Sequence, residues 1–406
     1  MALVLANSLE MAVATYAVHA AGAQAVPINP LYTERELGHI LHDASPHIAI
    51  IEPALAEMIS HLGGGLELAE TIVAGGTDGR RFDAWRDDAN AGLPQPLPAP
   101  DDLASLQYTG GTTGHPKGAN STHRQMATNI SQCETLLPTR PGKERILCVM
   151  PSFHCFAVGT CLHPAAYARS TLIILPRYHP AEVIAAIERH AVTRLPAGPT
   201  VFIGLMNFDG FATADMSSLQ YCVSGSAPLA AQTLMRWEAA TGCPILEGYG
   251  QTEAGPVVSF NPFNGAAKPG SVGVALPDTE IVDVDSGTHR LGTGEQGEIR
   301  VRGPQSCRAT TTARRKTPRR CAMVGSTPAI SASATTTATS SSETARKTWS
   351  SSAATMFSRA RSTRCFTRIL RCWKRPRSAW PMTIAAKSLT PMWYSKQAPR
   401  PTPMIS

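Results

Sequence analysis

Tyr108-Thr109-Gly110-Gly111-Thr112-Thr113-Gly114-His115-Pro116-Lys117-Gly118-Ala119 is the stretch whose reading decides the fold. Its glycines let the backbone turn tightly and bring N–H groups close to an anion, Thr109, Thr112 and Thr113 add hydroxyl donors, and Lys117 adds a full positive charge. It reads as a phosphate loop. The apolar run Leu103 to Tyr108 predicts a strand leading in, and Ser121 to Leu137 predicts a helix leading out, the surroundings in which phosphate loops occur. The Walker spelling G-x-x-x-x-G-K-[ST] is not met, because His115-Pro116 precede Lys117 and Gly118 follows it.

Around this loop the chain splits by charge. Residues 306–406 hold 19 Lys+Arg against one acidic residue, Glu343, whereas residues 1–305 hold 18 against 29. The whole chain carries a net +7, but because residues 1–305 are acidic the charge argument for a nucleic-acid partner fails for them, and none is expected. Six of the ten cysteines lie before position 306, none in a C-x-x-C pair, and the Cys155/Cys161 spacing fits no zinc pattern. Reduced buried thiols are expected, which places the chain in the cytoplasm. No apolar run reaches membrane-spanning length.

In order along the chain, strand and helix periods alternate. Met1 to Leu5, Ala25 to Ile28, His47 to Ile51 and Ile72 to Ala74 predict strands. Helices are expected from Ser8 to Ala21, from the capping box Thr33-Glu34-Arg35-Glu36 to His42, and over Pro53 to Leu62. After the loop, strands at 146–150, 171–175, 193–196 and 220–223 alternate with helices at 153–167, 180–190, 200–206 and 229–241. The pattern predicts an α/β fold of parallel sheets with helices on both faces. Three units are expected: an α/β portion over 1–244, a β-rich portion over 245–305, and a tail over 306–406.

The string Y-T-G-G-T-T-G-x-P-K-G-A is long and ordered, and it resembles the signature of the AMP-forming acyl-adenylate synthetases, more narrowly the fatty-acyl-CoA ligases. A second string, Glu247-Gly248-Tyr249-Gly250-Gln251-Thr252-Glu253, resembles the Y-G-x-T-E motif of the same family. The resemblance implies that Thr109, Gly110, Gly111, Thr112, Thr113, Gly114 and Lys117 hold the phosphates of ATP. By the same resemblance Tyr249, Gly250, Gln251 and Thr252 close over the nucleotide, with Thr252 near the α-phosphate and Glu253 on Mg²⁺. It further implies that Gly225, Ser226, Ala227 and Pro228 hold the adenine, and that His154 gates between acyl and CoA tunnels. Gly198-Pro199-Thr200 is expected to border the acyl pocket, and residues 297–304 to end a small β-barrel subdomain. The implied catalytic set is Thr252, Glu253, Lys117 and His154.

The implied reaction joins a carboxylic acid to CoA at the expense of ATP, with AMP and pyrophosphate released. The segment Asn29-Pro30-Leu31-Tyr32-Thr33-Glu34-Arg35-Glu36-Leu37 and the loop spelling resemble those of medium- to long-chain fatty-acid ligases, which implies a fatty acid of that length. A dicarboxylic or aromatic acid stays open, as do a nucleotide-binding remnant without enzymatic activity, a luciferase-like oxygenase, peripheral membrane contact and the oligomeric state.

At both ends the pattern departs from the family. Met1 to Glu10 resembles a V-A-L-V-L-x-N-S-x-E segment that lies well inside the family's first domain, so a missing start is expected. After Gln305 the family continues through V-M-x-G-Y, a T-G-D whose aspartate holds the ribose, an arginine hinge and a lysine-bearing domain, and none of these strings appears in this chain. Reading each codon junction one base out of step makes residues 323–331 compatible with G-W-L-H-T-G-D-I, and residues 352–382 with a G-G-Y-N-V-F-P-R-E-V-D-E-V-L run. Some junctions leave no choice of residue, and four of them, Met356-Phe357 giving V, Trp373-Lys374 E, Trp380-Pro381 A and Met392-Trp393 V, are all as in the family. A frameshift near Gln305 or Ser306 is the expected cause, giving a disordered basic tail and little or no complete turnover, the alternative being a genuine arginine-rich tail that binds nucleic acid.

Overall fold

Short apolar strands joined through helices build two parallel sheets. The computed structural model of the chain describes residues 1–62, 65–75, 96–109, 116–265, 267–284, 289–292, 295, 297–307, 310–311 and 384–386. The first sheet has the order β2-β1-β3-β4, with β1 at Ala2–Val4, β2 at Val26–Ile28, β3 at Ile48–Ile51 and β4 at Glu70–Val73, every pairing parallel. β1 is buried throughout, and its neighbours pack Leu37, Ile40 and Leu41 of the helix Glu34–Ala44 against the sheet. That helix opens on the expected capping box, in which Thr33 and Glu36 satisfy each other's backbone N–H groups. The expected helix Pro53 to Leu62 starts with a 3₁₀ turn, Pro53–Leu55, before the α-helix Ala56–Leu62.

The loop stands in a different setting from the one its sequence suggests. Strand β5, Leu103–Thr109, is followed by a second strand, β6, Lys117–Thr122, and the two pair antiparallel with Thr109 opposite Lys117. The helix begins only at His123 and runs to Leu136, because Thr122 and Gln125 form a capping box that fixes its start. Lys117 therefore sits on a hairpin arm, a full strand away from the helix N-terminus. Residues 110–115 at the hairpin tip lie outside the described residues.

The second sheet is larger. Its parallel part is built from β7, Arg145–Cys148; β8, Thr171–Ile174; β9, Arg194–Ala197; β10, Tyr221–Ser224; and β11, Ile245–Gly250. β12, Val257–Phe260, and β13, Val274–Ala275, extend it antiparallel. The order is β13-β12-β11-β10-β9-β7-β8, so the chain reverses direction across the sheet between β7 and β9. A core of Leu147, Ile187, Leu195, Phe202, Leu205 and Trp237 fills one face, with the helices Pro180–His190, Pro199–Met206 and Ala231–Thr241 over it. β14, Glu280–Val284, pairs antiparallel with β15, Glu298–Arg302, in the region where the small barrel is expected. Beyond Cys307 the described residues are Thr310–Thr311 (β16), paired with β6, and Ile384–Ala386 (β17), paired parallel with β8 at the sheet edge. The remainder of the expected tail lies outside the described residues.

Candidate active site

The motifs borne by the parallel strands of the second sheet lie at or just after the carboxyl ends of those strands, the edge at which open parallel sheets bind ligands. β7 ends at Cys148 and leads to His154; β9 ends at Ala197 and leads to Gly198; β10 ends at Ser224 and leads to Gly225; β11 ends at Gly250 and leads to Thr252 and Glu253. Asn7, six per cent exposed, ties this edge to the first sheet: its amide donates to the Met150 and Leu175 carbonyls at 3.0 and 3.1 Å and accepts from the Ser152 N–H at 2.6 Å.

The two strongest motifs meet. The Thr109 hydroxyl, at the end of β5, donates to Glu253 Oε1 at 3.0 Å and lies 3.4 Å from the Lys117 carbonyl. The second Glu253 carboxylate oxygen and the Lys117 ammonium have no hydrogen-bond or ion-pair partner among the described residues. Nor, among those residues, do three or more His, Cys, Asp or Glu side chains form a group that could hold a metal ion. A carboxylate with one oxygen to spare among the described residues suits Mg²⁺, which takes one or two protein carboxylates and completes its shell with phosphate and water.

Next to Glu253, the Thr252 hydroxyl lies 3.2 Å from the Cys155 thiol. Burial pushes that thiol up to about 11, the Thr252 hydrogen bond opposing and Glu253 adding to the rise, so Cys155 stays protonated and is no nucleophile at neutral pH. His154 caps the turn after β7, its Nδ1 accepting from the Phe156 N–H at 3.2 Å. The His154 side chain is exposed, yet surrounding protein desolvates it enough to lower its pKa, so the ring is neutral, as its acceptor role requires.

Two glycines are required by close approach. A Cβ at Gly225 would stand 2.6 Å from the Phe156 ring, and one at Gly250 would stand 2.1 Å from the Pro256 carbonyl oxygen. Ser226 adopts a left-handed φ of 68°, and Ser226, Ala227 and Pro228 are exposed. The Leu229 N–H donates to Glu247 Oε1 at 3.1 Å and so links this turn to β11. Tyr249 accepts from Gln251 Nε2 at 2.7 Å. Gly110, Gly111, Thr112, Thr113 and Gly114 lie outside the described residues.

The structure thus joins Thr109, Lys117, Glu253, Thr252 and His154 into one edge cluster and places Gly225 to Pro228 on the neighbouring strand end. The family model for AMP-binding enzymes matches residues 1–309. The chain belongs to the AMP-binding enzyme family. A long-chain-fatty-acid–CoA ligase of Bacillus subtilis (strain 168) is 32% identical over 335 residues, covering 75% of this chain and 60% of that protein. A 4-coumarate–CoA ligase of Oryza sativa subsp. japonica is 32% identical over 317 residues, covering 75% and 58%. Among solved structures, ATP-bound MatB from Rhodopseudomonas palustris is 30% identical with a TM-score of 0.70, covering 76% of this chain and 61% of that one. The inhibitor-bound N-terminal domain of FACL13 from Mycobacterium tuberculosis is 26% identical with a TM-score of 0.69, covering 77% of each. The chain spans 60% of the length of the bacterial fatty-acid ligases it matches.

Sequence reading missed Asn7, Cys155 and the buried amides of the helix His123–Leu136. Asn7 reads locally as a turn residue before a helix, and Cys155 as one more buried thiol. The amides did leave a signal, since Gln125, Asn129 and Gln132 recur at the i, i+4, i+7 spacing of a buried helix face.

Proposed function

We propose that this chain carries the adenylating site of an AMP-forming acyl-CoA ligase whose acid is a medium- to long-chain fatty acid. The observation that supports this best is the Thr109–Glu253 hydrogen bond, which brings the phosphate hairpin and the Y-G-Q-T-E turn together at the carboxyl edge of the parallel sheet. The acid's carboxylate oxygen attacks the α-phosphorus of ATP, the bond to pyrophosphate breaks, and the acyl-adenylate forms; the CoA thiolate then displaces AMP. Lys117 would donate to oxygens on which charge grows as pyrophosphate leaves, Thr109 would hold the Glu253 carboxylate beside them, and Thr252 would orient the α-phosphate. Bound at Glu253, Mg²⁺ supplies Lewis-acid neutralisation of the same charge. Neutral His154, at the turn after β7, would line the path of the incoming acid and thiol.

The fatty-acid assignment rests on the ligase relatives and on the Asn29 to Leu37 segment. We further propose that residues 306–406 derive from a shifted reading frame, so that turnover by this chain is slow or incomplete. Sequencing the gene through the codons for Gln305 and Ser306 tests the shift, and an unshifted reading shared by independent isolates sinks it. Titration with MgATP, with a second assay of carboxylate-dependent pyrophosphate release on fatty, dicarboxylic and aromatic acids, tests the site. Absence of MgATP binding overturns the assignment. Binding with no release for any acid supports the nucleotide-binding remnant, and robust release together with full acyl-CoA formation overturns the impairment.

A further inference from the structure

Glu253 sits on a three-residue 3₁₀ turn, Thr252–Ala254, which by itself is too short to hold a carboxylate in place. The segment Gly303 to Cys307 passes directly beneath that turn. The Cys307 N–H donates to the Glu253 carbonyl at 2.9 Å. Gln305, fully buried, packs so tightly under Gly255 that a Cβ there would stand 2.5 Å from its Cγ. The strap is itself gripped from the helix His123–Leu136. Gln132 Nε2 donates to Gln305 Oε1 at 3.1 Å, and Gln125, whose Oε1 caps the helix, donates through Nε2 to the Ser306 carbonyl. Between them Asn129 pairs with Val257 in both directions, its amide donating to the carbonyl at 2.8 Å and accepting from the N–H at 3.2 Å. All three amides are buried, so each lost partner leaves a desolvated polar group. The helix that carries them starts where β6 ends, and β6 carries Lys117.

We infer that the strap Gly303 to Cys307 and the amide row Gln125, Asn129 and Gln132 are the positioning elements of the Glu253 carboxylate, holding it in register with Thr109 and the Lys117 hairpin. One helix thereby sets the distance between both halves of the phosphate and metal site. The inference deepens the adenylation reading and rests on it only for the role of Mg²⁺. It also assigns a task to the residues at the charge boundary, since Gln305 before it and Ser306 and Cys307 after it are all buried in the fold, the last two contributing backbone groups that do not depend on which side chains they carry.

The full-length chain provides the test. Cys307→Pro deletes the N–H that reaches Glu253, Cys307→Ala keeps it, and Asn129→Leu removes both bonds to Val257 at similar volume. Hydrogen exchange on the unliganded proteins should show the peptide 249–256 exchanging about tenfold faster or more in Cys307→Pro and Asn129→Leu. In the same two variants the helix 180–190 should be unchanged, and Cys307→Ala should match the parent throughout. ATP affinity measured with Mg²⁺ and with EDTA gives the second readout. The gain in affinity that Mg²⁺ confers should shrink about 10- to 100-fold in the two disruptive variants, with metal-free affinity unchanged. Unchanged exchange at 249–256, or exchange rising equally across the whole chain, overturns the inference. If Cys307→Pro does not fold, Asn129→Leu decides by the same readouts. A parent chain that binds no MgATP refutes the adenylation reading, while exchange at 249–256 still decides the positioning role.

Discussion

Glu253 has one carboxylate oxygen engaged by the Thr109 hydroxyl and the other without a partner among the described residues, so its amide replacement separates charge from shape. Glu253→Gln keeps an acceptor toward Thr109 and loses the anion that a hard cation requires. MgATP affinity, measured by calorimetry, is expected to fall about tenfold or more, with ATP affinity in EDTA unchanged. Cys155, its neighbour through Thr252, is expected to be chemically inert. Its thiol is buried, hydrogen-bonded to Thr252 and pushed up to about 11, so iodoacetamide at neutral pH should leave it unmodified until the protein unfolds. Mass mapping that found Cys155 alkylated in the native chain would contradict this placement. That Thr109 and Glu253 belong to one place was legible in the sequence because both stand inside long ordered strings, and the structure brings the two strings together. Cys155 and Asn7 were not legible, because the partners that give them meaning, Thr252, Met150 and Leu175, arrive only through tertiary packing.

At the scale of elements, the alternation of strands and helices was readable because each strand is short, apolar and bounded by turns, and the helix Pro180–His190 falls where its period places it. The phosphate hairpin shows where such reading fails. The segment Lys117 to Thr122, with glycine, asparagine and serine, carries little strand propensity, yet it pairs along β5 over its whole length and defers the helix to His123. A buried ion pair joins the elements around β7 and β9 and was equally hidden. Arg194, at the start of β9, reaches Glu144 at 3.2 Å, stacks 4.6 Å over the Tyr221 ring and donates to the Leu137 and Pro138 carbonyls. Glu144 also accepts from Thr193 at 2.6 Å and from Arg140 at 3.0 Å. Burial alone would raise the Glu144 pKa, but Arg140, Thr193 and Arg194 outweigh it and hold the carboxyl at about 2. Glu144→Gln leaves the Arg194 guanidinium buried without its counter-charge. Urea unfolding at neutral pH should show a loss of about 3–5 kcal/mol. A loss under ~1 kcal/mol, the range of exposed pairs, would mean that the pair contributes no more than a surface contact.

For the whole molecule, the decisive feature is that two parallel sheets present their carboxyl ends to one another, with Asn7 bridging them and the phosphate hairpin meeting β11 at Glu253. Three histidines from separate helices meet within the same body. His19 lies 5.4 Å from His123, Tyr16 lies 6.2 Å from His19 and 6.0 Å from His163, and the Tyr16 hydroxyl is 3.1 Å from His163 Nδ1. The Nε2 atoms of all three histidines are buried without a hydrogen-bond partner among the described residues, so a proton added there finds no acceptor among them. Desolvation, reinforced by the neighbouring histidines, lowers His19 to about 3, and desolvation with His123 beside it lowers His163 to about 4. For His123 desolvation lowers the pKa while Asp102 acts against it. In the unfolded chain these rings titrate near 6.5, so below that pH the unfolded state binds protons that the folded state refuses. Stability is therefore full above about pH 6.5 and falls as pH drops toward about 4, by roughly 1.4 kcal/mol per pH unit for each ring that stays neutral. Glu144 loses its contribution in a lower window, between its ordinary 4.5 and about 2. His163→Gln keeps a polar partner for Tyr16 and removes one titration. Urea unfolding free energies measured from about pH 7.5 to about pH 4.5 should show a slope in the variant shallower by about one proton's worth. An identical slope would place the acid sensitivity outside this histidine group, in the carboxylates alone.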